Sequence, residues 1–375
     1  MSGLLVFDVS RRTAYRLLLA IGFPAVFALT LWLTPAKDVS TTPTTPPTLT
    51  DRELFTAVVD GMRTGRSYYE VYGAESRTRG YPTRSVFNWR TPLLLPAIAS
   101  LTPRLCSLLF MALALALLVQ AHSLLRRELL WVLTLAPAAL VAIVPGEIYF
   151  TESWAGVCLG LSAVAYARRR ETAGASWALL ALFIRELAAP YCVFAALLAL
   201  YRRRWREVGM WLGGAVLYAL YFGAHVWLAS RHVLPGDRAH SHSWLFGGGL
   251  PFVFQLWQRN VALIAAPAPM FALVVALAVA AWWAPKMPVH VRATVVLYSA
   301  LFLFIGLPFN TYWGELIAPL VALWMVYIPE GLSTVWAGAQ LSWTSRCSTL
   351  TGTERIPLTA VSTTDASTFL DLKAS

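Results

Sequence analysis

The feature that most limits how this chain can fold is a row of apolar stretches separated by short arginine clusters. A helix needs about 20 apolar residues to cross a bilayer. Candidate spans stand at 17–35, 104–125, 129–145, 153–167, 207–230, 261–284, 292–309 and 314–329, with a further apolar stretch between 174 and 201. The connections carry Arg126-Arg127, Arg168-Arg169-Arg170, Arg202-Arg203-Arg204 with Arg206, and Lys286 with Arg292. Short loops rich in Lys and Arg stay in the cytoplasm, which assigns these connections and both termini to that side. Seventeen basic and eight acidic residues then lie inside, against twelve and ten outside. Most of the net charge of +11 is thus an orientation signal.

Composition supports the same class. Hydrophobic residues make up 58% of the 375 and charged residues 13%. A soluble chain of that balance would expose large apolar patches, and a disordered one would carry more charge. Nucleic acid is a poor fit as a partner despite the basic balance; membrane lipids are the expected surroundings. Arg11, Arg12 and Arg16 precede the first span in the manner of a signal peptide. With no small-x-small cleavage site and further spans downstream, it reads as a retained helix. The four cysteines show neither zinc-site nor redox-pair spacing.

The stretch 171–201 is the most constrained. Arginine triplets flank it on both sides, so the chain must cross an even number of times between them. Its text, SWALLALFIRELAAPYCVFAALLALY, offers two halves of about 12 residues hinged at Arg185-Glu186 and Pro190. Each half reaches only about 18 Å, short of a ~30 Å hydrocarbon core. The expectation is a short hinged hairpin, re-entrant or facing a water-filled cavity, with Arg185 and Glu186 held deep. Neighbours on a helix do not face each other, so each of the two is expected to find its own partner. The whole is an all-α polytopic membrane protein with about ten membrane helices. A cytoplasmic N-terminus (1–16) precedes a multi-pass domain (17–337) with long outer loops at 36–91 and 231–259. A low-complexity cytoplasmic tail (338–375) follows, rich in Ser and Thr and read as disordered from about 340.

In the first outer loop, Thr50-Asp51-Arg52-Glu53 matches a capping box. The helix it opens aligns Leu54, Val58 and Met62, with Phe55 and Val59 beside them, and Thr64-Gly65 is its stop. Such an amphipathic helix suits the outer membrane surface. Next come Gly65-x-x-Tyr68-Tyr69, Tyr81-Pro82 and Phe87-Asn88-Trp89-Arg90-Thr91-Pro92, which leads into the following apolar segment.

This order of elements resembles the integral-membrane glycosyltransferases of the GT-C type, which use polyprenyl-phosphate sugars as donors. It is especially similar to their polyprenyl-phosphate-mannose-dependent and uncharacterised bacterial branches. The resemblance covers roughly 10–335 in topology and is confined in sequence to 51–92 and, more loosely, 147–206. It implies a polyprenyl-phosphate-sugar donor and a sugar acceptor on the outer side of the bacterial plasma membrane. It makes Asp51 the base, and it also allows a divalent metal, without fixing a ligand set.

Each candidate residue admits a plainer role. Asp51 at the first turn also complements the helix dipole; Glu53 fits the capping box, and Asp60 and Glu70 fit solvated loop positions. Arg90 is a bidentate phosphate donor or an interfacial anchor beside Trp89. Arg185 and Glu186 are functional by default inside a bilayer, or structural tethers. Glu147 and Glu152 flank the turn PGEIYFTES as substrate or metal ligands, or simply begin helices. Asp237, His240 and His242 form Asp-x-x-His-x-His, able to hold a metal or a sugar phosphate if ordered, or else a solvated loop. Tyr312, Trp313 and Trp244 suit sugar stacking or an interfacial belt. Walker A, dinucleotide, Gly-x-Ser-x-Gly and His-Glu-x-x-His motifs do not occur. A secondary transporter or lipid-linked-sugar flippase, and a catalytically inactive relative, remain as alternatives.

Overall fold

The structure, a computed structural model, describes residues 51–125, 135–136, 138–139, 141–144, 146–239, 245, 248–259, 263 and 266–350, with the backbone alone at 308 and 341–350. Thirteen α-helices and no strand occur among them, with one isolated bridge between Leu245 and Ile305. The first expected span, the cap residue Thr50, His240, His242 and most of the expected span at 129–145 lie outside the described residues.

Helices α1 (Asp51–Arg63) and α2 (Tyr68–Thr78) fold the first loop. Asp51 and Glu53 in the first turn and Arg63 in the last complement the dipole of α1. Gly65, at φ +90°, makes the left-handed turn that ends it. Leu54, Phe55, Val58 and Val59 are buried. This face was expected to lie on the membrane surface. It packs instead against α2 and α3 (Leu94–Ser100), because those elements supply enough apolar surface to cover it. Arg63 fastens the corner by donating to the carbonyls of Ile98 and Leu101, at the open end of α3.

Beyond α4 (Pro103–Leu125), the core is α5 (Thr151–Ala167), packed most extensively on α6 (Glu171–Ile184), then on α12 (Gly314–Met325) and α4. Every residue of α5 from Thr151 to Tyr166 is buried. Where α5 meets α12, a Cβ at Gly156 would collide with the carbonyl oxygen of Glu315, so this crossing requires glycine. Helices α7 (Ala189–Tyr201) and α8 (Trp205–Ser230) flank α6. Then follow α9 (Leu250–Gln258), α10 (Ala268–Ala280), α11 (Val289–Phe304), α12 and α13 (Ile328–Leu350).

The hinged hairpin is present. Helix α6 stops at Ile184, Arg185 is extended (φ −148°, ψ 119°), and α7 restarts at Ala189 with Pro190 in its first turn. A continuous helix would drive the Pro190 ring into the carbonyl of Glu186, which places the break there. The arginine-bearing ends meet: Arg204 pairs with Glu171 at 3.2 Å, and the Tyr166 hydroxyl donates to Glu207 at 2.7 Å. Arg169 and Arg203 both take left-handed φ (58° and 55°), so α5 and α7 close in the same way. In each closure the third arginine's N–H reaches back to a carbonyl five residues earlier.

The count of ten membrane helices is not supported. Among the described residues, two helices are long and apolar enough to cross a membrane, Pro103–Leu124 and Trp205–Ser230; a third counts if Phe309–Met325 and Ile328–Gln340, bent by 47°, form one span. The other described apolar stretches include helices of 12 to 17 residues. At about 1.5 Å per residue these reach roughly 18–26 Å. Helix α5 is apolar all round because it is the core, not because it faces lipid. Exposed apolar side chains lie on the long helices, as at Leu108, Leu115 and Val119 of α4 and Leu212, Leu217 and Leu220 of α8, and also on shorter ones, as at Val193 and Leu197 of α7 and Met270 and Leu273 of α10. The tail departs from expectation too: α13 stays helical to Leu350, beyond the point where the apolar pattern stops.

Candidate functional site

At the end of the bundle opposite the arginine triplets lies a cavity of about 720 Å³. Asp51, Arg90, Arg185 and Glu186 all line it, with Tyr312 and Trp313 on a third side. Residues from three distant parts of the sequence thus share one space.

Glu152 organises the charged side from behind. It is fully buried in the first turn of α5, where Thr151 donates to its Oε2 at 3.0 Å. Its Oε1 accepts from Arg90 Nη1 at 2.9 Å and lies 2.9 Å from Arg185 Nε. Arg185 also pairs with Glu186. The expectation that these chain neighbours would have separate partners is therefore only half right. Arg185 reaches Glu152 independently, and the extended backbone at Arg185 also lets it turn onto Glu186, as a continuous helix would not. With both glutamates ionised, the charges of the two arginines are cancelled. An anion would have to displace Glu186, one-third exposed, rather than find an idle cation.

The loop motifs turn out to be the scaffold of Arg90. Tyr68 donates to the Arg90 carbonyl at 2.7 Å, and Thr91 to the carbonyl of Ile184 at the end of α6, at 3.3 Å. Trp89 is buried, donates to Thr83 at 2.9 Å and lies over Gly73, where a Cβ would press into its ring. The Arg90 guanidinium itself sits 5.7 Å from the Phe55 ring centre and 5.5 Å from that of Tyr312, and donates to the Tyr312 hydroxyl at 3.2 Å.

Asp51 accepts a hydrogen bond on Oδ1 from Tyr81. Burial, and then that bond to the carboxylate, push the Tyr81 phenol well up, so it stays a donor. Opposite the polar groups, Phe87, Leu187, Leu245, Ile305 and Phe309 form an apolar side. Phe87 and Phe309 are mostly exposed, at 70% and 59%.

The second loop docks on the first. Arg77 holds both oxygens of Asp237, at 2.6 and 3.0 Å, and the carbonyl of Arg238 accepts from the N–H groups of Thr83 and Arg84. Arg77 bonding draws Asp237 down to about 2. Asp237 is therefore committed to this latch rather than to a ligand. Glu147 lies outside the cavity, accepting from Ser153, which also contacts Glu315. Among the described residues, no three of His, Cys, Asp and Glu are grouped to hold a metal ion. Glu152, flanked by two guanidiniums, would repel a cation, so the allowed divalent metal finds no donor set there. Asn310 and Ser76 line the cavity without any sequence signal, being single polar residues in a loop or on α2, while Asn88 belongs to the Phe87–Pro92 motif, which gives it no role of its own. Glu315 had one: a lone acid in an apolar stretch, as Arg185 is a lone base. Compared with known families, curated proteins and solved structures, the chain matches none.

Proposed function

We propose that this chain is an integral-membrane glycosyltransferase of GT-C type. It would move a hexose or pentose from a polyprenyl-phosphate donor to an acceptor on the outer face of the bacterial plasma membrane, as a multi-pass protein with both termini cytoplasmic. The observation that carries this reading is that one cavity is lined by Asp51, Arg90 and Arg185 and has an apolar side open to the surface.

In this reading the acceptor hydroxyl gives its proton to Asp51 as its oxygen bonds to the anomeric carbon. With Oδ1 held by Tyr81, the proton passes to Oδ2. The bond from that carbon to the phosphate oxygen breaks, and its electron pair leaves with the polyprenyl phosphate. Charge rises on that oxygen, where Arg90 and Arg185 supply guanidinium donors, Glu186 having swung aside. Attack from the face opposite the phosphate inverts the anomeric centre. Phe87, Leu187 and Phe309 give the first isoprene units an apolar surface.

Membranes containing the protein, incubated with labelled polyprenyl-phosphate sugars, test this directly. The expected result is label transferred to an acceptor, with Asp51→Asn losing about 10²–10⁴-fold in rate while remaining folded. Unchanged transfer by Asp51→Asn would remove Asp51 as base. The break at Arg185 between two half-helices also suits a flippase. The same assay separates the two, because a flippase relocates a labelled lipid without altering its chemistry.

A further inference from the structure

We propose that the turns where the two arginine triplets meet bind the phosphate of an anionic phospholipid, whose acyl chains lie along exposed apolar stripes of α7 and α8. The site is independent of the transferase reading and lies at the end of the bundle opposite the cavity.

The α5–α6 and α7–α8 connections bring Arg168–Arg170 together with Arg202–Arg204 and Arg206, against two carboxylates, Glu171 and Glu207. Arg204 takes both, at 3.2 Å from Glu171 and 3.4 Å from Glu207. That pairing holds the two connections side by side. The other six guanidiniums have no carboxylate within ion-pair distance among the described residues. Arg169, Arg170, Arg203 and Arg206 are exposed. Arg202 is partly buried; that burial, and then the charge of Arg204, hold its guanidinium below the usual range. An orientation signal needs only a positive loop. It does not require two such loops to be fastened together, where like charges repel at close quarters.

The surroundings select the anion. On α7, Val193, Leu197 and Tyr201 follow at intervals of four and are each more than half exposed. On α8, Trp205, Leu212 and Val216 share one face and are equally exposed. Helix α7 runs into the arginine turn and α8 out of it, so both stripes end there. Tyr201 and Trp205 bracket Arg202–Arg204, as aromatic residues do at the level of lipid headgroups. Free phosphate or a nucleic acid would satisfy the charge and leave the stripes bare. A phospholipid supplies both parts: phosphate oxygens that accept from guanidiniums, and chains for the apolar stripes.

The test is titration of the purified full chain in nonionic detergent. The probes are cardiolipin, phosphatidylglycerol and phosphatidylcholine in mixed micelles, inorganic phosphate, and a single-stranded oligonucleotide. Cardiolipin and phosphatidylglycerol should bind well below the concentrations at which phosphatidylcholine or inorganic phosphate does. Replacing Arg169, Arg170, Arg203 and Arg206 by Gln should weaken both anionic lipids about tenfold or more, each arginine near a headgroup being worth about 1 kcal/mol. Arg170→Gln with Arg206→Gln, where φ is negative or the backbone helical, serves if the fourfold variant does not fold, with a loss of about threefold or more. Arg66→Gln with Arg84→Gln, exposed arginines of the first loop, should change nothing. The site is overturned if that control pair loses as much, or if the anionic lipids bind the variants like the wild type. It is equally overturned if inorganic phosphate binds as tightly as the lipids, or if the oligonucleotide displaces them.

Discussion

Each end of the helical bundle buries a glutamate, and the two are stabilised in opposite ways. At the arginine-rich end Glu207, 3% exposed, accepts from the Tyr166 hydroxyl at 2.7 Å and from the Trp211 indole at 3.4 Å, with Arg204, one-third exposed, at 3.4 Å. His290 stacks over Tyr166 at 3.8 Å between ring centres and closes that end. At the other end Glu152 is enclosed by two guanidiniums that are themselves buried, and these face a cavity. Neutral donors and one solvated cation make Glu207 a tether between α5 and α8. Around Glu152 the cations are desolvated and lie beside open space, the arrangement on which the proposed handling of a phosphate rests.

The comparison is open to direct attack. Glu152→Gln leaves two buried guanidiniums against each other, and breaking a buried ion pair from one side costs about 3–5 kcal/mol. Glu207→Gln loses charge-assisted bonds but keeps an acceptor, at about 1–2 kcal/mol. Thermal unfolding of the two variants in one detergent should show the larger loss at Glu152; equal losses would erase the distinction drawn between the ends.

A smaller effect bears on the charged side alone. Glu186→Gln removes the group that an incoming anion has to displace. Polyprenyl phosphate should then bind about two- to fivefold more tightly, the worth of a partly exposed ion pair. Weaker binding would mean that Glu186 serves the ligand rather than competing with it.

The smallest effect concerns the latch between the two loops. Asp237 is drawn down to about 2 in the folded protein, against roughly 3.9 for a free aspartate. Its contribution is therefore complete above about pH 4 and is lost as the pH falls through about 2. Amide exchange at Thr83 and Arg84, corrected for intrinsic rates, should speed up across that window and stay flat from pH 5 to 8. In Asp237→Asn it should be fast throughout.

Much of the architecture was legible beforehand, for a definite reason. Charge clusters mark which ends of helices lie together, and two arginine triplets about 30 residues apart forced a hairpin with a break at Arg185-Glu186. The structure contains both, since a proline and an ion pair cannot be carried through a short apolar helix. The number of membrane helices was not legible. Hydropathy measures how apolar a stretch is, not whether lipid or protein covers it, and α5 is apolar because neighbouring helices enclose it. The stripe on α1 was misassigned to lipid on the same ground.

For the candidate site, residue type pointed to Asp51, Arg90, Arg185 and Glu186, because charges in or beside apolar sequence need a cause. Glu152 was named only as one of two acids flanking a turn. Its central place depends on Gly156 letting α5 approach α12, on Tyr68 and Trp89 fixing Arg90, and on the break that frees Arg185. None of these is local in sequence. Ser76 left no trace at all, since a lone serine on a helix is ordinary until the folded chain buries it without a partner. The sequence by itself determined an all-helical, membrane-directed chain, its arginine-rich end and the point where its hairpin must break. Those follow from solvation and short-range sterics. Only the tertiary structure decided which apolar helices form the core and which distant polar groups share a cavity, because both depend on contacts between residues from tens to over two hundred positions apart in the chain.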